Sequence, residues 1–377
     1  MAAIRVSRLA LLVLALAMAV PAAVQAQPAP LVVDVQVVDR DGHPVAGLAA
    51  DRFNVEVNGR RRRVVDVKVI DAASRDGNAP LEGRLVYFLV VDASTFGQGA
   101  ATDAVAALTR FVDSLPEGSL AGLVTFPMGP AVELTTDHEQ IRTALARVTG
   151  QSPQGRGGSM GLGLADAIEF ASAPDPIDVT RRFCGEGLAE DSACPQLIEQ
   201  EAGLILGAAE AQARSSLGMI AEFASRLDTI PGRKVVVLAS AGLAVSPRAG
   251  GRPDVGNLPD ELGTALTRAD AAFYTLLLDG LATVGAADGR RSNPGRDREV
   301  LGRWLDQFSS SMGGALVRVQ PGQPGDADDR IARETASHYA LTLEPAGSDG
   351  ADRLQRLRVR VNQRGATVRA RTLVKGG

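Results

Sequence analysis

The side chains best placed to bind a ligand end the stretch of residues 85–96, LVYFLVVDASTF. Its first seven residues are an almost unbroken apolar run, which is typical of a strand buried on both faces of a parallel sheet. Asp92, Ser94 and Thr95 then supply a carboxylate and two hydroxyl groups. Because open α/β sheets bind ligands beyond the carboxyl ends of their strands, the sequence predicts a recognition site here.

The elements that would position this cluster alternate between strand and helix patterns from Leu85 onward. This alternation predicts an α/β fold, a doubly wound and mostly parallel sheet with helices on both faces. The connection from Phe126 to Ala131 is too short for a crossover helix, so we expect a hairpin and one antiparallel edge strand. Residues 288–298 predict a loop, and the apolar stripe after them predicts a helix with Trp304 in the core.

Two β segments, residues 27–80 and 326–377, flank the predicted α/β domain of residues 81–325. The Asn58-Gly59 pair between alternating runs predicts a hairpin in the first segment, and three alternating strands are predicted in the second. Each segment has an apolar face that needs a partner. We therefore expect the two segments to pack together as a small β unit.

Arginines cluster in both β segments, since residues 60–63 are all arginine and residues 353–375 include no acidic residue. We interpret these arginines as the solvated outer face of half-buried strands. The alternative is a positive face that attracts an acidic surface, such as a polysaccharide, lipid headgroups or a protein. The lack of interleaved aromatic residues argues against nucleic acid as a partner.

Residues 1–26 are typical of a secretory signal peptide. Arg5 and Arg8 precede an apolar run that is too short to span a bilayer, and Val24-Gln25-Ala26 resembles a signal-peptidase site. We expect cleavage before Gln27 and a soluble, exported protein, periplasmic or secreted, without a transmembrane segment.

The two cysteines, Cys184 and Cys194, lie in one polar insertion at residues 173–196. An exported protein can oxidise such a pair, which predicts one local disulfide, with two free thiols as the alternative. A loop this short would contribute at most about 2–3 kcal/mol on the chain-entropy model.

Four stretches together resemble the bacterial family of proteins related to von Willebrand factor A (VWFA), in which β segments flank a VWFA domain. They are VVDRDGHPVAGLAADRFNVEVNGRRRRVVDVKV, PGRKVVVLASAGL, SHYALTLEP and LQRLRVRVNQRGATVRAR. The resemblance covers nearly everything after Pro28 and implies a protein-binding or scaffolding module. Recognition would use three loops at the carboxyl edge of the sheet, which we call the first (92–97), second (155–159) and third (240–243) edge loops. The implied contact residues are Asp92, Ser94, Thr95, Phe96, Ser159 and Ser240.

The resemblance also implies a position for a divalent cation. Adhesion-type VWFA domains hold such an ion with Asp-x-Ser-x-Ser, a Thr from a second loop and an Asp from a third. Asp92 and Ser94 match the first two positions, and Ser159 can stand where the Thr would be. Oxygen ligands of this kind suit Mg²⁺.

Two departures from that pattern predict a degenerate metal site. Phe96 replaces the second Ser, and Ser240 or Ala241 stands where the third-loop Asp would be. The single remaining carboxylate compensates little of the charge of a divalent ion, so we predict no required cofactor and at most weak Mg²⁺ binding. Thr95 or Asp103 could serve as substitute ligands, which keeps a Mg²⁺-dependent adhesion module as the alternative. A purely structural role for Asp92, as a helix cap or an acceptor for loop amides, is also open.

Enzyme motifs are weak in this sequence. G-x-x-x-x-G-K-[ST] does not occur, and Gly157-Gly158-Ser159-Met160-Gly161 matches the letters of G-x-S-x-G but belongs to a loose glycine cluster that does not directly follow a predicted strand. His43, His138 and His338 are expected in a turn, at a helix start and at a strand start, without a nucleophile beside them. We therefore predict no catalytic residue and retain a hydrolase only as the less favoured alternative.

Overall fold

The computed structural model describes residues 30–71, 85–152, 159–173, 175–185, 193–248, 250–280, 292–320, 327–346, 349 and 353–376. Among these residues, no helix has both the length and the apolar character needed to cross a membrane. The predicted signal peptide and residues 155–158 of the second edge loop lie outside the described residues.

Strands and helices alternate through the middle of the chain, with strands concentrated at both ends. The strands are β1 (Val32–Val38), β2 (Phe53–Val57), β3 (Arg60–Arg62), β4 (Val64–Asp71), β5 (Leu85–Asp92), β6 (Leu120–Phe126), β7 (Val132–Thr135), β8 (Arg233–Ser240), β9 (Ala271–Leu278), β10 (Leu316–Val319), β11 (Ser337–Leu343), β12 (Leu354–Val361), β13 (Thr367–Arg369) and β14 (Leu373–Lys375). The α-helices are α1 (Ala101–Ser114), α2 (His138–Leu145), α3 (Leu164–Ser172), α4 (Ile177–Cys184), α5 (Cys194–Arg226), α6 (Leu258–Arg268), α7 (Pro294–Ser311) and α8 (Ala327–Thr335).

The central six-stranded sheet has the order β10-β9-β8-β5-β6-β7, and only β7 is antiparallel to its neighbour. Successive residues of β5 face opposite sides of the sheet, as the strand geometry requires. Tyr87 and Leu89 pack with α1, α2 and α8 on one side, whereas Val86 and Phe88 pack with α5, α6 and α7 on the other. The predicted α/β class, the doubly wound sheet and the β6–β7 hairpin are confirmed.

The flanking segments pair with each other in two four-stranded sheets, β13-β1-β11-β4 and β14-β12-β2-β3. Apolar residues of both sheets, including Val35, Val55 and Leu341, form a common core. Asn58 and Gly59 have positive φ angles of 51° and 76° and connect β2 to β3, which confirms the predicted hairpin. The expected packing of the two β segments into one β unit is therefore observed.

Helix α8 was not predicted, because its sequence ADDRIARET is mostly polar. Its Ile331 and Ala332 are buried in the core beside α1. The segment 326–377 therefore begins with a helix that completes one layer of the central sheet before the β strands follow.

Residues 288–291 of the predicted loop lie outside the described residues, and the prediction is wrong at its end, because α7 begins at Pro294. Asn293 caps this helix by accepting a hydrogen bond from Gly295 N, and proline at the first helical position fits the fixed φ angle of that turn. The stripe beyond it is correct: Trp304 is buried and stacks on Phe308.

The predicted disulfide between Cys184 and Cys194 is present. It joins the end of α4 to the start of α5, beside a small separate core that includes Val179, Phe183 and Ile198. The described part of the insertion is thus helical, and one covalent bond joins α4 to α5.

The predicted solvated face of arginines is largely observed. Arg356, Arg358 and Arg360 are exposed along β12, on the face away from the core of the β unit. Arg62 instead pairs with the fully buried carboxylate of Asp349 at 2.8 Å. Some of the positive charge is therefore neutralised within the β unit.

Candidate functional site

The first edge loop leaves the centre of the sheet at Asp92, whose carboxylate turns back onto the loop. Asp92 Oδ1 accepts hydrogen bonds from Ser94 N at 3.3 Å and from Ser94 Oγ at 2.6 Å. It thereby caps the 3₁₀ helix of residues 93–95. This is the structural role that the sequence left open for Asp92.

The other carboxylate oxygen of Asp92 is buried and has no hydrogen-bond partner among the described residues. Asp92 as a whole is only 1% exposed. Burial raises the pKa of Asp92 above its ordinary value, while hydrogen bonds from Ser94 and Ser216 oppose the shift. The loop therefore contains a carboxyl group that is poorly compensated as an anion.

Thr95 ties the first edge loop to the third. Its hydroxyl donates to Asp92 O at 2.7 Å and accepts from Ala241 N at 2.9 Å. Ser240 Oγ donates to Thr95 Oγ1 at 3.4 Å and accepts a hydrogen bond from Gly242 N at 3.1 Å. The hydroxyl groups of Thr95 and Ser240 are buried and form hydrogen bonds within the two loops. In this conformation neither hydroxyl group can contact a partner protein.

Phe96 belongs to the hydrophobic core, where it is fully buried beside α1 and α2. The chain after α2 covers this loop, since Gln151 N donates to Ala93 O at 2.7 Å and Ser152 N to Phe96 O at 3.0 Å. A Cβ atom at Gly150 would collide with the Gly97 carbonyl. The side chain of Phe96 therefore faces inward in this structure, and its contact with a partner stays a prediction.

Helix α5 covers the other side of the first edge loop, which sequence reasoning missed. Ser216 Oγ lies 3.3 Å from Ser94 Oγ, and Gln212 Nε2 donates to Ser94 O at 3.1 Å. Ser216 is buried on an otherwise Ala-rich helix face. Two polar residues four positions apart on such a face are the available sequence signal, although they do not reveal which loop they meet.

Ser159 is exposed, and no hydrogen bond joins it to Asp92 or Ser94 in the described part of the chain. The residues that follow it are fixed from outside the loop. Glu201 of α5 accepts from Met160 N and Leu162 N, both at 2.8 Å. The structure thus brings together the first and third edge loops but does not show Ser159 joining them.

The oxygen atoms of the first and third edge loops do not form a ligand set that fits a divalent cation. Asp92 offers one free carboxylate oxygen, whereas Thr95 and Ser240 already use their hydroxyls between the loops. No cluster of three potential His, Cys, Asp or Glu ligands includes Asp92 within the described ranges. Divalent binding depends strongly on ligand charge, so the set is incomplete.

The histidines lie away from these loops. His43 is 3.6 Å from Asp39, His138 Nε2 is 2.9 Å from Ser119 O, and His338 is 3.7 Å from Asp34. None of these contacts brings a base to Ser94.

The side chains that are exposed beyond the carboxyl edge of the sheet are not the ones that the sequence predicted as contact residues. Met128, in the turn after β6, is 75% exposed, and Gln98 is also exposed. Helix α5 contains 33 residues, about 50 Å at 1.5 Å per residue, so its first half projects past the sheet edge that Ser216 reaches. Leu204 on that half is 76% exposed.

We expect Asp92→Asn to raise the free energy of unfolding at pH 7 by about 1–3 kcal/mol, because it removes a buried, under-compensated charge. A carboxyl group with a raised folded-state pKa binds its proton more tightly in the native protein. Its stabilisation is fully present below the unfolded-state pKa and is lost as the pH rises through the folded-state pKa. The variant's advantage should therefore be small near pH 4 and larger at pH 7.

Urea unfolding of both proteins at the two pH values, with EDTA present, measures this difference. Asp137→Asn is the matched control, because Asp137 caps α2 from an exposed position and hydrogen bonds lower its pKa. It should not stabilise the protein at pH 7. A loss of stability at pH 7 in Asp92→Asn would contradict the prediction.

No protein-family model matches this chain, and no curated protein matches it. Several solved structures show limited similarity, as three examples illustrate. The conserved hypothetical protein BatB from Bacteroides thetaiotaomicron is 16% identical, with 67% of this chain and 97% of that chain covered and a TM-score of 0.30. An aerotolerance-related membrane protein from Bacteroides fragilis NCTC 9343 is 12% identical, with coverages of 67% and 98% and a TM-score of 0.32. A von Willebrand factor type A structure from Catenulispora acidiphila is 12% identical, with coverages of 94% and 74% and a TM-score of 0.21. Similarities this low assign neither a family nor a function.

Proposed function

We propose that this chain is an exported VWFA-related protein that binds or scaffolds a protein partner beyond the carboxyl edge of its central sheet, without a bridging metal. The observation that carries the proposal is the contrast between inner and outer groups at this edge. Asp92, Thr95 and Ser240 are buried, whereas Met128 and Leu204 expose large apolar side chains. A contiguous exposed apolar patch marks an interaction surface, and these two side chains are the candidates for such a patch at this edge.

The contact surface in this proposal differs from the set implied by the resemblance. Ser94, which is half-buried, and Ser159 remain contact candidates, whereas Asp92, Thr95, Phe96 and Ser240 shape the loops from within. The hydrogen bonds between the first and third edge loops restrict their motion. A preorganised surface of this kind loses less conformational entropy on binding.

Export is supported by the oxidised cysteine pair. Disulfides persist mainly in secreted and periplasmic proteins, and Cys184 and Cys194 are bonded here. The proposal assigns no enzymatic activity.

Site-specific photo-crosslinking tests the proposed surface. We would place a photoreactive residue at position 98, 128 or 204 of the exported protein in its native host, and at exposed Glu117 as the control. Glu117 precedes β6 at the opposite end of the sheet. We expect one partner band from the three edge positions and none from position 117. Equal labelling from all four positions, or no labelling, would contradict the proposal.

The second candidate is a Mg²⁺-dependent adhesion module, and the unpartnered Oδ2 atom of Asp92 is the observation that favours it. Calorimetric titration of Mg²⁺ or Mn²⁺ into the EDTA-treated protein separates the two. We expect no binding in the micromolar range. Micromolar binding that Asp92→Ala abolishes would replace our proposal with the metal-dependent one.

A further inference from the structure

A cavity of about 360 Å³ lies at the end of the sheet opposite to the edge loops. Leu85 and Arg233, the first residues of β5 and β8, line one side of it. Asp34 of β1 and His338 of β11 line the other side. The cavity therefore lies at the junction of the central sheet and the β unit, and it is independent of the proposed partner surface.

Three cationic side chains line this cavity, Arg233, Lys234 and Arg268. Lys234 is 4% exposed, and its ammonium group donates to Ala269 O at 2.7 Å. Burial lowers its pKa, although Asp270 and Asp228 oppose the shift. A backbone carbonyl leaves most of that desolvation cost uncompensated.

Arg233 also lacks full compensation for its burial. Its Nη1 atom is buried and has no hydrogen-bond partner among the described residues. Arg268 is exposed at the mouth of the cavity and forms no ion pair with any described residue. Two guanidinium groups of the lining thus have donors without a partner among the described residues.

Three acidic residues also line the cavity, Asp34, Asp228 and Asp270. Asp270 pairs with Arg371 at 2.5 Å, and Asp34 lies 3.7 Å from His338. Asp228 is the remaining lining carboxylate, and it forms no ion pair within the described ranges. The lining therefore holds three cationic and three acidic side chains, and one of the acids, Asp270, is shared with Arg371.

We propose that this cavity binds a small oxyanion, a carboxylate or phosphate group of a compact ligand, through Arg233, Lys234 and Arg268. Guanidinium and ammonium groups form their strongest hydrogen bonds with such oxygens. Ile70, Leu85 and Ile230 supply an apolar wall for the rest of the ligand. The volume matches the lower range of small-molecule sites. A bound oxyanion would offset the buried positive charge and bridge the sheet to the β unit.

Isothermal titration calorimetry of the mature protein with inorganic phosphate and with succinate, at constant ionic strength set by chloride, tests the proposal. We expect saturable binding of at least one probe. Phosphate alone would identify a phosphate-type ligand, and succinate alone a carboxylate-type ligand. Binding of neither probe at millimolar concentration would overturn the proposal.

Variants locate the binding. Arg268→Gln changes an exposed side chain, so it should preserve folding and weaken the bound probe about tenfold, the loss expected for one charge-assisted hydrogen bond. Arg233→Gln should weaken it further. Arg303→Gln is the matched control, since Arg303 pairs with Glu299 on the exposed face of α7 and does not line the cavity. Equal affinity in wild type and Arg268→Gln would overturn the assignment.

Discussion

Replacing Phe96 with serine should lower the free energy of unfolding by about 3–5 kcal/mol, although it would complete an Asp-x-Ser-x-Ser pattern after β5. Phe96 is fully buried among residues of α1 and α2. Serine would leave a cavity in this core and place a hydroxyl group without an evident partner inside it. Both effects oppose folding, because the lost apolar contacts and the buried polar group each cost free energy.

Urea denaturation monitored by circular dichroism measures this loss. Gln98→Ser is the control, because it makes the same new side chain at an exposed position two residues later, where surface changes cost about 0.5 kcal/mol or less. We also expect Phe96→Ser to gain no Mg²⁺ binding, since Ser240 and Ala241 still supply no carboxylate. A stable variant that binds Mg²⁺ would show that Phe96 alone separates this loop from a working metal site.

Phe96 also shows which features of the fold could be predicted from sequence. The strands β5 and β8 were predictable because continuous apolar runs suit strands buried on both faces. The Asn58-Gly59 hairpin was predictable because its turn needs positive φ angles. The inward direction of Phe96 was not, because the segment around Gln151 covers its loop from more than fifty positions away. Local patterns do not specify such long-range packing.

The position of the candidate site could be predicted from local patterns, whereas the residues that cover it could not. The position of Asp92 at the carboxyl end of β5 follows from the apolar run before it. The covering by Gln212 and Ser216 depends on where a long helix crosses the sheet edge, which the helix sequence does not specify. Helix α8 was missed because Ile331 and Ala332 are the only apolar residues among its described side chains in the core beside α1. A short polar helix is held by its tertiary contacts more than by its own periodicity.

Glu334, at the end of α8, joins this helix to the β unit. Its side chain is fully buried and accepts hydrogen bonds from Arg369 Nε at 2.8 Å and Arg330 Nε at 2.9 Å. Arg369 also donates to Gly314 O, just before β10, at 3.3 Å. The pair of Glu334 and Arg369 therefore connects three parts of the structure: helix α8 beside the central sheet, strand β13 of the β unit, and Gly314 just before β10.

Glu334→Ala should destabilise the protein by about 3–5 kcal/mol, because it leaves Arg369, whose side chain is only 13% exposed, without its counter-charge. Equilibrium urea unfolding would measure the loss. Glu344→Ala is the matched control: its partner Arg63 is 73% exposed, and such surface pairs contribute about 1 kcal/mol or less. The double variant Glu334→Leu/Arg369→Met should recover most of the stability, because it removes both buried charges together. Equal losses in Glu334→Ala and Glu344→Ala would mean that the buried pair does not secure the junction. A double variant no more stable than Glu334→Ala would place the loss in the packing around α8 instead of in the unpaired charge.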